Sequence, residues 1–215
     1  EVKVNNIILP KQDKDGNYYI SYTQVSTWLK SKKDYIEQYF LNKPFLGNPY
    51  TDFGGMVGKA LEENNFSAFS DKEQEVLKQI PRLDIFEKEI KLQFNGFYLK
   101  GYIDTIKEDF SILHDYKTGG DGKQSEYTKQ EYIQTVLYAA AIHQETGIMP
   151  EEIDVIFIER IGNPMRGEKL QIGEKIEKIN LELSQERINF AMSLVENAAH
   201  EISNYYKIFK QLNIN

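Results

Sequence analysis

The sequence predicts an α/β (α+β) domain: a mixed central sheet built around an antiparallel meander, flanked by helices and preceded by further helical elements. Three observations predict it. Apolar and polar residues alternate with the strand period of two on either side of Asn95-Gly96, a strong signal for a two-residue hairpin turn. Ile153 to Ile161 is nearly continuous in apolar residues, as in a strand covered on both faces. Elsewhere apolar residues recur at helical spacing.

With 215 residues, 40% of them hydrophobic, the chain can bury one sizeable core. The expected organisation is one domain over 1–215, with a helical part over 18–80, a core over 81–161 and a final strand and helix over 162–215. No stretch of about 18 apolar residues is present, so no membrane partner is expected. Glu1 to Pro10 is short and mixed, so no signal peptide is expected either. There is no cysteine, which excludes disulfides, thiolate zinc sites and iron–sulfur clusters and fits a reducing cytoplasm. His114, His143 and His200 are too scattered to suggest zinc. The net charge of −7 argues against general DNA coating. It leaves room for an acidic metal site beside a local basic patch.

In chain order, Tyr18-Tyr19-Ile20 predicts a short strand, and Ser21 or Thr23 caps a helix that runs to about Asn42. A second helix, about Thr51 to Asn65, contains Gly54, Gly55 and Gly58. Each glycine costs about 1 kcal/mol relative to alanine, so close packing against another backbone or a substrate is expected. A third helix covers about Asp71 to Gln79. The meander follows, with strands over Glu87–Phe94, Phe97–Ile106 and Phe110–Lys117. A helix over about Thr128 to Thr146 ends at Gly147. Ile153–Ile161 is the covered strand and Lys175–Leu183 an edge strand. Ser184 caps a final helix to about Phe209.

Counting residues sets the meander's register. A two-residue turn at Asn95-Gly96 pairs Glu89 with Tyr102 and Glu87 with Asp104. A two-residue turn at Glu108-Asp109 pairs Tyr102 with Asp115 and Lys100 with Lys117. Residues directly opposite share a face. Glu87, Glu89, Asp104, Asp115 and Lys117 are therefore expected on one side, with Ile90, Leu92, Phe94, Leu99, Ile103 and Ile112 on the other. Clustered carboxylates repel, and Mg²⁺ or Mn²⁺ would offset that, because hard cations take carboxylate oxygen. Such an ion polarises a phosphodiester and activates water. Lys117 beside it would position or activate the water, or stabilise charge on the phosphate. The same residues are also compatible with a solvated, charge-striped face.

At these residues the sequence resembles the PD-(D/E)XK nuclease superfamily, in its RecB-like exonuclease branch, which includes CRISPR-adaptation and phage recombination nucleases. Ser21 to Val25 resembles the family's helix start, Glu89 its acidic strand residue, and Gly101 to Asp104 its G-x-x-D. Asp115-Tyr116-Lys117 resembles D/E-x-K, and Gln134 to Tyr138 resembles Q-x-x-x-Y. The resemblance covers about residues 18–160 and implies a restriction-endonuclease-like core. It implies Asp104, Asp115 and the Tyr116 backbone carbonyl as metal ligands, with Glu89, Asp104, Asp115 and Lys117 as the catalytic set. Glu87 becomes a neighbour. Gln134 and Tyr138 would support the site or contact DNA, and Ser21, Thr23 and Lys59 are further substrate-contact candidates. The implied partners are DNA ends and proteins of a recombination or replication complex, in the cytoplasm of a bacterial or phage-infected cell. One departure matters: where the family has G-x-x-x-H, this chain has Gly55 to Lys59. A protonated lysine cannot ligate. The chain would then hold one metal rather than two, use Glu62 or Glu63 instead, or have lost activity. Two functions follow: a divalent-metal-dependent DNA nuclease, or a silent DNA- or protein-binding relative.

Overall fold

The structure, a computed structural model, describes residues 7–44, 46–129 and 132–212. Strand β1 (Tyr19–Ser21) leads into helix α1 (Tyr22–Lys30), whose N-terminus is capped by the Ser21 hydroxyl accepting from the Gln24 N–H. Ser31 interrupts the expected long helix. Its hydroxyl caps a new turn, α2 (Lys32–Tyr35), which continues into a π-helical segment over Ile36–Phe40. Serine competes for backbone groups and favours caps over helix interiors. Helices α3 (Pro49–Glu63) and α4 (Asp71–Leu77) follow. The meander is β2 (Ile85–Phe94), β3 (Phe97–Ile106) and β4 (Ile112–Gly119). Helix α5 (Gln134–Thr146) starts later than the Thr128 expected; residues 130 and 131 lie outside the described ones. Strands β5 (Glu152–Ile161) and β6 (Gln171–Leu181) and the long helix α6 (Gln185–Leu212) complete the chain.

The six strands form one mixed sheet. β2 pairs antiparallel with the whole of β3, and β4 runs parallel to β5. β6 pairs antiparallel with β5 and forms the far edge. The other edge of β3 is shared. β1 pairs there in parallel at Tyr98–Lys100, and β4 pairs antiparallel only at Thr105 and Ile106. Between the two, at Gly101–Asp104, the ladder is open. That opening is where the G-x-x-D residues sit.

Two cores cover the two faces. Val155 and Phe157 belong to the larger one, with Trp28, Leu99, Leu137 and Val195 from the α1, β3, α5 and α6 side. Ile156 and Ile158 point the other way, into a smaller core with Phe53, Val57 and Leu61 of α3 and Leu77 of α4. The apolar run in β5 thus reads as expected, buried on both sides. Full burial of each such side chain contributes about 1.5–3 kcal/mol relative to exposure.

The meander departs from simple counting in two places. Lys107 N–H donates to Ile112 C=O, so the second turn spans four residues rather than two. The pairing moves by two, and Asp104, not Tyr102, lies opposite Asp115. A shift of two preserves facing, because side chains alternate with that same period. The second departure does not preserve it. Ile103 and Ile106 both belong to the larger core, and so does Ile90, against which Ile85 also packs. Residues three or five apart cannot share a face under strict alternation. The β2–β3 ribbon therefore changes phase between them. Glu87, at φ 49°, marks the change, in register opposite Asp104.

Candidate active site

Asp115 and Lys117 stand on β4 beside Val155 and Phe157 of β5. Asp115 is almost fully buried. Its Oδ2 receives the Lys117 ammonium at 2.6 Å and the Tyr132 hydroxyl at 2.8 Å. Its Oδ1 is buried and, among the described residues, has no hydrogen-bond partner. Asp104 sits across the opening in the β3–β4 ladder. Its Oδ2 accepts from the Tyr116 N–H at 2.6 Å, so a side chain replaces the missing ladder bond. Burial, and then the neighbouring Asp115 charge, push Asp104 up to about 7. Burial alone would pull the Lys117 ammonium down, but Asp115 and Asp104 outweigh it and the net shift is upward. Lys117 is thus held as a cation between two carboxylates.

A cavity of about 760 Å³ opens over this cluster on the α3 side. Glu87, Asp104, Tyr116 and Lys117 form one wall, and Lys59, Glu62 and Arg160 also reach it. Gly55 and Gly58 of α3 line it too, with nothing within 4 Å of where a Cβ would stand. Their role is to open the groove, not to pack against another backbone. At Gly54, by contrast, a Cβ would stand 3.3 Å from the Thr118 hydroxyl. On the other side of Lys117 lies a second cavity of about 580 Å³. Tyr22, Tyr127, Tyr132 and Phe190 line it, with Lys30, Lys123 and Lys129.

The donors suit a hard divalent cation. Asp115 offers an unused, buried oxygen, and Asp104 lies opposite with a carboxylate that its surroundings disfavour in the charged state. Among the described residues, no three Asp, Glu or His side chains are grouped closely enough to hold a metal between them. Mg²⁺ does not need three: it is commonly held by one or two carboxylates with retained water and substrate oxygen. The residues present fit that mode.

The other expected site residues divide. Gln134 donates to the Tyr138 hydroxyl at 2.7 Å, and Tyr138 is buried beneath β3. A Cβ at position 101 would stand 2.8 Å from its ring, so Gly101 and Tyr138 fit only each other. Gln134 and Tyr138 both lie on the side of β3 away from the main cavity's lining, although Gln134 also reaches the second cavity. Glu89 departs from expectation. It lies below the phase change, bound to Lys100 at 3.1 Å and the Tyr102 hydroxyl at 3.0 Å, outside the cavity. Glu87 stands in the cavity instead; burial and the nearby Glu62 raise its pKa. The Ser21 hydroxyl is committed to capping α1, and Thr23 reaches neither cavity, whereas Tyr22 and Ser26 line the second. Lys59 is largely exposed and 3.6 Å from Glu63. Tyr132, which donates to Asp115, and Arg160, which lines the cavity, are not among the expected site residues.

A sheet opened between two carboxylate-bearing strands, with a lysine held between them at a cavity floor, is suited to a hard cation and a phosphate ester. The family comparison is consistent with that chemistry. The model of the PD-(D/E)XK nuclease superfamily matches residues 21–205, and the chain belongs to that superfamily. A candidate exonuclease of Eubacterium rectale aligns with 91% of this chain and 88% of its own at 12% identity, with a TM-score of 0.55. An alkaline exonuclease of Laribacter hongkongensis aligns over 90% and 92% at 14% identity and TM-score 0.48. No curated protein matches the chain significantly. Among the described residues no helix is long and apolar enough to cross a membrane.

Proposed function

We propose that the protein is a divalent-metal-dependent DNA nuclease of the RecB-like branch, acting exonucleolytically on DNA ends in recombination, repair or replication. The observation that carries the reading is the Asp104–Asp115–Lys117 cluster in the sheet opening, with an Asp115 oxygen that has no hydrogen-bond partner among the described residues. Asp104, Asp115 and the Tyr116 carbonyl would hold Mg²⁺ or Mn²⁺, with Glu87, rather than Glu89, as the acid on the facing strand and Glu62 across the cavity. When bound, the ion supplies Lewis-acid polarisation of the phosphodiester.

The chain's own groups do the rest. Lys117, kept protonated, is suited to hold the attacking water or the phosphate by charge rather than to remove a proton. Tyr132 and Asp115 fix the ammonium in place. Tyr138 and Gln134 brace β3 so that Asp104 keeps its position. The aromatic and lysine-lined cavity beyond Lys117 suits nucleobases and phosphates, since bases stack on aromatic rings irrespective of sequence.

The test is cleavage of end-labelled single- and double-stranded DNA with Mn²⁺, comparing the wild type with Asp104→Ala and Lys117→Ala. Shortening from an end by the wild type alone supports the reading; equal activity in all three overturns it. The silent-relative alternative rests on Lys59. Tight binding without cleavage by the wild type would favour it.

A further inference from the structure

The cations of the main cavity are not alike. Lys59, Lys117 and Lys123 each lie within ion-pair distance of a carboxylate: Glu63, Asp115 and Glu126. Arg160, lining the same cavity, has no such partner among the described residues, and its Nε is buried without any hydrogen bond. An arginine left this way in a folded protein carries an unmet electrostatic demand, because a buried donor without a partner costs free energy.

Its position is built. Arg160 follows an irregularity in the β5–β6 ladder, between Ile158 and Arg160. Glu159 stabilises that irregularity: its carboxylate accepts from the N–H groups of Glu174 and Lys175. Such bulges re-aim side chains. The guanidinium lies over the Tyr50 ring, 4.2 Å from its centroid, and the Tyr50 hydroxyl donates to Asn163 Oδ1 at 3.4 Å. Tyr50 stands at the start of α3, so a helix and a strand together seat the cation. Arg160 lines the main cavity.

The place along the strand sets Arg160 apart from the carboxylate pair. Lys117 is level with Phe157, and Arg160 lies three residues further on. At about 3.3 Å per residue, that is about 10 Å along the sheet. A planar, doubly donating cation suits a phosphate diester better than a point charge does.

We infer that Arg160, seated on Tyr50, is a phosphate-anchoring residue that binds a non-scissile backbone phosphate of the nucleic-acid strand lying in the main cavity. The inference rests on the nuclease reading for its substrate, and its test is therefore a binding measurement. Lys117→Ala serves as the parent, to suppress cleavage. A labelled single-stranded oligonucleotide is titrated by fluorescence anisotropy with Mg²⁺ over a range of KCl, using the parent and its Arg160→Gln, Arg160→Lys and Tyr50→Leu derivatives. Arg160→Gln should weaken binding about tenfold, the value of one charge-assisted contact. It should also lower the slope of log affinity against log salt by about 0.7, the share of one phosphate on a single strand. Arg160→Lys should restore the slope but only part of the affinity. Tyr50→Leu should weaken binding with the slope kept. In the cleaving protein, Arg160→Gln should raise KM and leave kcat.

Unchanged affinity and slope in Arg160→Gln, with melting temperature kept, would overturn the inference. So would a slope that Arg160→Lys fails to restore. Should Arg160→Gln not fold, the slope of Arg160→Lys and the affinity of Tyr50→Leu decide. A wild type that binds with the Arg160-dependent slope but never cuts would remove the catalytic reading and leave this one standing.

Discussion

Two acidic groups on the meander look alike in sequence and behave in opposite ways. Glu89, with Lys91, Lys100 and Tyr102, lies on the solvent side of the β2–β3 ribbon. Its partners hold its pKa below the usual carboxylate range, the Lys100 hydrogen bond first. Asp104, with Asp115 and Lys117, lies in the sheet opening, where burial raises it to about 7. The first group is charge already compensated. The second is charge gathered at a cost, which a divalent cation would offset. A strained ribbon at Glu87 separates them by only a few residues. Ionisable residues on a strand thus identify a site by what their surroundings fail to satisfy, more than by their number.

The largest expected effect tests catalysis. Lys117→Ala and Asp104→Ala should each lower the rate of DNA cleavage by at least about 10²-fold, the scale of losing one preorganised electrostatic group. Glu89→Ala should change it by no more than about threefold, since rim ion pairs contribute little. Single-turnover rates with Mn²⁺ check this. A collapse of activity in Glu89→Ala would return that residue to the site and dissolve the contrast.

The next effect is on stability, and the two groups should respond to pH with opposite sign. The Asp104 carboxyl binds its proton more tightly folded than unfolded. Metal-free protein should therefore lose stability as pH rises from 3.8 to about 7 and level off above. Glu89 has a lowered folded pKa, so its small contribution is present above 4.5 and is lost as pH falls. Urea unfolding in EDTA across this range should show the first trend, and Asp104→Asn should flatten it. Mg²⁺ should restore stability at pH 8, by about 2.7 kcal/mol at a hundredfold excess over its Kd. No response to Mg²⁺ would count against the metal site.

How much of this was legible follows from which rule each element obeys. The Asn95-Gly96 hairpin, the doubly covered β5 and the Asp115–Lys117 spacing follow local rules, and counting placed them. The second turn did not: Glu108-Asp109 became part of a four-residue turn with Phe110 at φ 61°, a conformation that its side chain does not advertise. The error was harmless because it was even. The phase change at Glu87 was invisible, since nothing about a glutamate predicts φ 49°, and it is what separates Glu89 from Asp104. Partners distant in sequence, such as Tyr132 for Asp115 and Tyr50 for Arg160, required the fold.

A smaller effect probes how the opening is held. Gly101→Ala would place a methyl 2.8 Å from the Tyr138 ring. Overpacking of this kind costs about 1–3 kcal/mol. The strain falls on β3 three residues before Asp104, where neither β1 nor β4 supports the strand. Activity should therefore fall more than stability alone explains, because Asp104 would move relative to Asp115. Gly101→Ala combined with Tyr138→Leu should recover most of the stability but less of the rate, as the Gln134 brace is lost with the hydroxyl. On the solvent side, Glu89→Gln should cost at most about 0.5 kcal/mol and leave the rate alone, since exposed pairs contribute about 0–1 kcal/mol. If Gly101→Ala also proves silent in both measurements, the opening is not braced by Tyr138. The contrast between the two acidic groups would then rest on burial alone.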